Sequence, residues 1–171
     1  MQRVFGITGW KNSGKTTLCE RLVAEFVRRG YRISTIKHAH HGFDIDREGA
    51  DSHRHRVAGA TEVAIVSGKR WALMHELRGS TEPTLDEVLA RIAPCDLVLI
   101  EGYKREGHPK IETRRLEAKQ LASLAAGDHH ILAIAADHSV TDPDLPVFNL
   151  DDVTAIADFI GRNTGLTAPS K

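Results

Sequence analysis

The chain has only two cysteines in 171 residues, Cys19 and Cys95, and no local motif pairs them. That excludes a secreted disulfide scaffold. It has no surplus of charge of either sign, since 23 basic residues are matched by 23 acidic ones. Electrostatics therefore give no reason to expect binding to nucleic acid or to an anionic membrane. The longest apolar run, Ile131 to Ala136, falls far short of the ~20 residues that cross a bilayer. Residues 1–8 lead straight into a glycine-rich, lysine-bearing loop and lack the residue order of a signal peptide. The expected location is cytoplasmic. There is no Pro/Gly/Ser linker, internal repeat or low-complexity stretch, so residues 1–171 are expected to form a single domain. A chain of this size buries roughly 70% of its unfolded surface, enough to fold without a structural metal.

What is there is an alternation of short β-like runs and helical patterns. Residues 3–8 read as a strand ending at Gly9. In residues 16–29, Leu18, Leu22, Val23, Phe26 and Val27 fall on one helical face, and Gly30 stops the helix. Residues 32–37 (RISTIK) are β-branched and predict a second strand. Residues 63–66 and 71–74 predict a hairpin around Gly68 and Lys69. Thr84 and Glu87 have capping-box spacing ahead of Leu85, Val88, Leu89 and Ile92. Residues 97–100 are wholly apolar, as a buried parallel strand would be, and residues 131–135 and 147–148 give two more strands. A last helix starts near Asp151. The predicted class is α/β, a P-loop NTPase-like single domain with a mainly parallel sheet and helices on both faces.

The chemistry is concentrated in Gly9-Trp10-Lys11-Asn12-Ser13-Gly14-Lys15-Thr16, a full match to G-x-x-x-x-G-K-[ST]. Glycines let the backbone curl so that successive N–H groups form an anion nest. The helix that follows adds its N-terminal partial charge and unpaired donors. Lys15 is placed to reach the β- and γ-phosphates, and the Thr16 hydroxyl to bind Mg²⁺. No lysine stands at position 10, five residues before Lys15, so catalysis in trans by such a residue is not indicated.

A second acid is needed near the phosphates. Glu101 ends the apolar strand and is followed by Gly102, at the carboxyl end where ligands bind in open α/β sheets. It could hold Mg²⁺ or orient a water, while Asp96 begins the same strand and belongs at its far edge. Residues 37–56 read as a long polar loop with three aspartates and five histidines (His38, His40, His41, His53 and His55). Such a loop could answer to the γ-phosphate and Mg²⁺ as switch loops do. Neither cysteine is near and no HExxH spacing occurs, so the histidines equally suit an anionic ligand or solvent.

Taken together, GWKNSGKTTL, IKHAHHGFDIDREGADSHRHRVAGA, RWALMHE at 70–76, DLVLIEGYK at 96–104 with PKIE beyond it, and LAIAAD at 132–137 resemble the molybdopterin-guanine dinucleotide biosynthesis protein B (MobB) family over nearly the whole chain. The resemblance implies a GTP-binding, weakly GTP-hydrolysing accessory protein that acts when molybdopterin and GTP are joined into the guanine dinucleotide cofactor. It implies a MobA-like nucleotidyltransferase as partner, molybdopterin as a further ligand, and a homodimer. By position it implies that Asn12, Ser13, Gly14, Lys15, Thr16 and Thr17 form the phosphate loop. It also implies Thr16 and Glu101 at Mg²⁺, with Asp46 on the Mg²⁺ or γ-phosphate side. Arg70, Trp71, Ala72 and Leu73, with the 38–56 segment, are implied as ligand or dimer surfaces.

No N-K-x-D guanine-reading motif occurs in the chain. Asp137, at the end of the 131–135 run, is placed to accept from guanine N1 and N2. Three alternatives stay open at this point. One is a P-loop GTPase metallochaperone for nickel enzymes, against which the missing cysteine metal motif and N-K-x-D count. The others are a small-molecule kinase or ligase, and a scaffold with a vestigial loop.

Overall fold

The structure, a computed structural model, describes residues 2–39 and 42–167. His40 and His41 of the histidine-rich segment lie outside the described residues. In chain order the elements are β1 (Val4–Thr8), α1 (Lys15–Arg28), β2 (Ile33–Lys37), α2 (Asp51–Val57), β3 (Glu62–Val66), β4 (Trp71–His75), α3 (Leu85–Leu89), β5 (Leu97–Glu101), β6 (Lys110–Arg114), β7 (Ile131–Ala136), β8 (Val147–Asn149) and α4 (Val153–Thr164). They divide into two compact units, one from residues 1–38 and 89–171 and the other from 39–88.

The first unit is a six-stranded sheet in the order β2-β5-β1-β6-β7-β8. Every pairing in it is parallel. The phosphate-loop strand β1 therefore lies mid-sheet, with β5 on one side and β6 on the other. Phe5 and Ile7 of β1, Leu97 and Leu99 of β5, Ile111 of β6, and Ala133 and Ala135 of β7 share a face. Leu18, Leu22 and Phe26 of α1 and Ile156, Ala157 and Ile160 of α4 close over it. Each fully buried large side chain contributes roughly 1.5–3 kcal/mol. Asp152 caps α4 by accepting from the Ala155 amide at 3.0 Å.

β6 has no counterpart among the expected strands, because three of its five residues are charged. Their burial is compensated by partners from later segments. The fully buried Lys110 reaches Asp128 at 2.5 Å. Glu112, also buried, accepts from the amides of Leu124 (3.0 Å) and Ala125 (3.1 Å) and from Arg114 (2.7 Å). Gly6 in β1 makes room for this layer, since a Cβ there would run into the His108 ring and come within 2.6 Å of Lys110 Cγ.

The second unit holds the expected hairpin, with β3 and β4 antiparallel and Val63 opposite Met74 on its buried side. Residues 37–56, expected as a continuous loop, instead contain the start of α2. Arg56 on that helix gathers Asp44, Asp46 and Glu76 around its guanidinium, and these contacts order the acidic stretch. The capping box at α3 is reciprocal: the Thr84 amide donates to Glu87 Oε2 (2.8 Å) and the Glu87 amide to Thr84 Oγ1 (3.3 Å). The helix ends at Leu89, short of Ile92. Among the described residues, no helix is long and apolar enough to cross a membrane.

Candidate functional site

Residues 9–16 join the end of β1 to the start of α1. Gly14 is the N-cap of α1, with φ +92° and no side chain over the first amides, so those donors are left for a ligand. Asn12 also has positive φ (68°), a conformation asparagine tolerates. The loop is buttressed from β6. Thr113 Oγ1 donates to the Thr8 carbonyl at 3.0 Å, so the Ser13 hydroxyl, 2.7 Å away, must be the donor of the Ser13–Thr113 bond. The segment after β6 also straps the loop, through Trp10 Nε1 to the Ala122 carbonyl (2.6 Å) and the Lys119 amide to the Lys11 carbonyl (3.1 Å).

Lys15 Nζ donates to the Trp10 carbonyl at 2.7 Å, which holds the ammonium over the loop. Burial lowers its pKa, as do the charges of Lys104 and Lys37, with Glu101 opposing them. Beside it the Thr16 hydroxyl donates to Glu101 Oε1 at 2.7 Å. Glu101 is buried at the carboxyl end of β5, and Lys37 Nζ stands 3.4 Å from the same oxygen. Asp96, at the other end of β5, accepts from the Arg32 amide at 2.7 Å, away from the loop as expected. Thr17 is exposed at the start of α1. Cys19 is buried, and burial pushes its thiol up to about 11, so it offers no ready nucleophile.

The structure thus brings together Asn12, Ser13, Gly14, Lys15, Thr16, Thr17 and Glu101. It adds cations that the motif did not single out. Lys37 meets Glu101 because β2 pairs with β5 in a register that sets the two residues opposite each other. Lys104 lies with its ammonium 4.2 Å from the Trp10 ring centroid, a cation–π contact. Three lysines beside one carboxylate leave the site net positive, as a polyphosphate ligand requires. No local signal marked Lys37, since strand order is a property of the sheet.

Asp137 follows β7. Its Oδ1 accepts from His138 Nδ1 (2.8 Å) and from the Leu116 amide (3.2 Å). The His138 bond is the main cause of its lowered pKa, with the Leu116 amide and the charge of Arg115 adding to it. Asp46, in the second unit, is committed to Arg56 through both oxygens, Oδ1 at 2.6 Å and Oδ2 at 3.2 Å. That pairing is the first cause of its lowered pKa. Arg70 precedes β4, and Trp71, Ala72 and Leu73 lie along it, with Trp71 and Leu73 exposed.

Residues 4–137 match the family model described as molybdopterin guanine dinucleotide synthesis protein B. The chain is 39% identical over 161 residues to the molybdopterin-guanine dinucleotide biosynthesis adapter protein of Haemophilus influenzae, covering 92% of this chain and 86% of that one. It is 35% identical over 159 residues to the adapter protein of Escherichia coli, covering 92% and 90%. Among solved structures, the MobB protein homolog from Bacillus stearothermophilus superposes with a TM-score of 0.73 at 33% identity, over 97% of this chain and 100% of that one. On this evidence the chain belongs to the molybdopterin guanine dinucleotide synthesis protein B family.

Proposed function

We propose that this protein binds GTP with Mg²⁺ and assists the conversion of molybdopterin to molybdopterin guanine dinucleotide, hydrolysing GTP only weakly itself. The observation that carries the reading is the bond from Thr16 to Glu101 beside the glycine-bounded loop. It pairs a hydroxyl and a carboxylate, hard oxygen donors of the kind Mg²⁺ takes, at the mouth of an anion nest. Thr16 and Glu101 would hold Mg²⁺, whose charge offsets that of the phosphates when bound. Lys15 would meet the β- and γ-phosphates. Asp137 would accept from guanine N1 and N2, which favours GTP over ATP. Asp46, proposed by position for the Mg²⁺ or γ-phosphate side, is engaged by Arg56 through both oxygens.

The same geometry supports weak hydrolysis. Glu101 Oε1 already accepts from Thr16 and faces the Lys37 ammonium, so that oxygen is engaged in binding charge rather than in collecting a proton from water. Such a site suits a supplier of nucleotide or a timer better than a transferase. The adapter names of the relatives agree with this role, and the partner we propose for it is a MobA-like nucleotidyltransferase. Outward-facing Val66, Trp71 and Leu73 on the hairpin are consistent with burial in a homodimer.

A reconstitution tests the proposal with four arms: transferase alone, this protein alone, both together, and both with Lys15→Ala. Each arm contains molybdopterin, Mg²⁺ and GTP. The pair should yield more active molybdoenzyme than the transferase alone, and the variant should remove the gain. Dinucleotide made by this protein alone would refute the accessory role. A variant that helps as much as wild type would separate the nucleotide site from it.

A further inference from the structure

The flank of the phosphate loop opposite Glu101 holds a charged side chain with no assigned role. Sheet order places β5 on one side of β1, and β6 and then β7 on the other. Lys37 and Glu101, with Thr16 bonded to the latter, gather on the β5 side. Side chains leaving the ends of β6 and β7 form the opposite flank.

The first residue after β6 is Arg115. Its Nε and Cζ stand 2.7 and 3.1 Å from where a Cβ on Gly14 would be, so the guanidinium rests on the loop backbone. Nε is buried without a hydrogen-bond partner. Among the described residues no carboxylate forms an ion pair with it. The charge of Arg115 is felt by Asp137, whose pKa it helps to lower, but among the described residues neither a hydrogen bond nor an ion pair fixes the guanidinium, which leaves it for a ligand on this flank. Two neighbours define the ligand's character. Leu150 Cδ2 comes within 3.1 Å of the same Gly14 position and supplies an apolar surface. Asp137, whose carboxylate accepts from the amide next to Arg115, supplies an acceptor.

We infer that Arg115 forms the nucleoside-side wall of the nucleotide site, its planar guanidinium stacking on the purine ring. The inference rests on the nucleotide-binding reading above and assigns a further residue to it. The direction follows from topology. The β- and γ-phosphates belong with Lys15 and with the Thr16–Glu101 pair on the β5 flank. The part of the nucleotide extending from Gly14 towards β7 and β8 is therefore the ribose and base. Guanidinium planes stack on aromatic faces, which a lysine ammonium cannot do. Arg115 would favour purines as a class, and Asp137 would select guanine among them.

The test is calorimetric titration of the full chain with Mg²⁺–GTP and, separately, with Mg²⁺–tripolyphosphate, which has no nucleoside. Arg115→Ala should weaken GTP binding by roughly threefold to thirtyfold, the range of a cation–aromatic contact. It should leave tripolyphosphate binding at the wild-type level, which also shows that the variant is folded. Arg115→Lys should fall between the two for GTP, whereas Lys15→Ala should weaken both ligands. Equal losses of GTP and tripolyphosphate in Arg115→Ala would make Arg115 a phosphate ligand and overturn the inference. So would unchanged binding of both, or full recovery of GTP affinity in Arg115→Lys, because a bare charge would then suffice. Wild type that binds neither ligand overturns the nucleotide reading, and this inference with it. Wild type that binds both while Arg115→Ala is silent overturns this inference alone.

Discussion

The hydroxyl of Thr16 and the carboxylate of Glu101 are separated by 85 positions in sequence and meet at 2.7 Å. One begins α1 and the other ends β5, and the parallel pairing of β1 with β5 brings those two ends together. Glu101→Gln keeps the shape of this contact, since an amide oxygen still accepts from Thr16, but removes the charge. Nucleotide binding without metal should barely change. Mg²⁺-dependent hydrolysis should fall at least tenfold, read as phosphate release across a Mg²⁺ titration. Undiminished turnover would move the metal acid elsewhere, with Asp46 the first residue to examine.

Lys15→Ala removes the ammonium held over the loop by the Trp10 carbonyl. A hydrogen bond to a charged group contributes about 1.5–3 kcal/mol, so triphosphate affinity should fall roughly tenfold to 150-fold. The fold should survive, because Lys15 belongs to no part of the apolar core. Equal GTP binding by wild type and variant in calorimetry would sink the assignment.

Gly14→Ala should damage the loop for two separate reasons. A φ of +92° disfavours any residue with a Cβ, at a cost of roughly 1–2 kcal/mol. The new methyl would also press on Arg115 and Leu150. We expect lower thermal stability together with loss of GTP binding. A variant with wild-type melting temperature and affinity would show that the loop relaxes freely.

His108 supplies a pH dependence remote from the phosphate loop. Its ring is buried over Gly6 with neither nitrogen bonded, and burial, aided by the Lys110 charge, pushes it from the ordinary 6.5 down to about 4. Below pH 6.5 the unfolded chain takes up a proton that the folded chain refuses until about pH 4. Stability should therefore decline as pH falls through this window, by roughly 3 kcal/mol in all. Denaturant unfolding at pH 7 and pH 4.5 measures the slope. In His108→Leu the decline should be visibly smaller, and an identical slope in the variant would remove His108 as its source.

By itself the sequence determined the features whose physics is local. The loop at residues 9–16, the cap at Thr84, the start of the last helix near Asp151, the hairpin of residues 63–66 and 71–74 and the apolar strand ending in Glu101 all follow from neighbours within a few positions. β6 was not legible, because Lys110, Glu112 and Arg114 look like loop residues until Asp128 and the amides of Leu124 and Ala125 are folded against them. Nor was α2, whose Arg56 draws Asp44, Asp46 and Glu76 together from separate segments. Only the tertiary structure decided that β5 and β6 flank β1, and so that Lys37 faces Glu101 and Arg115 rests on Gly14. These relations depend on strand order and register, and no periodicity within a single segment encodes which other segment will lie beside it.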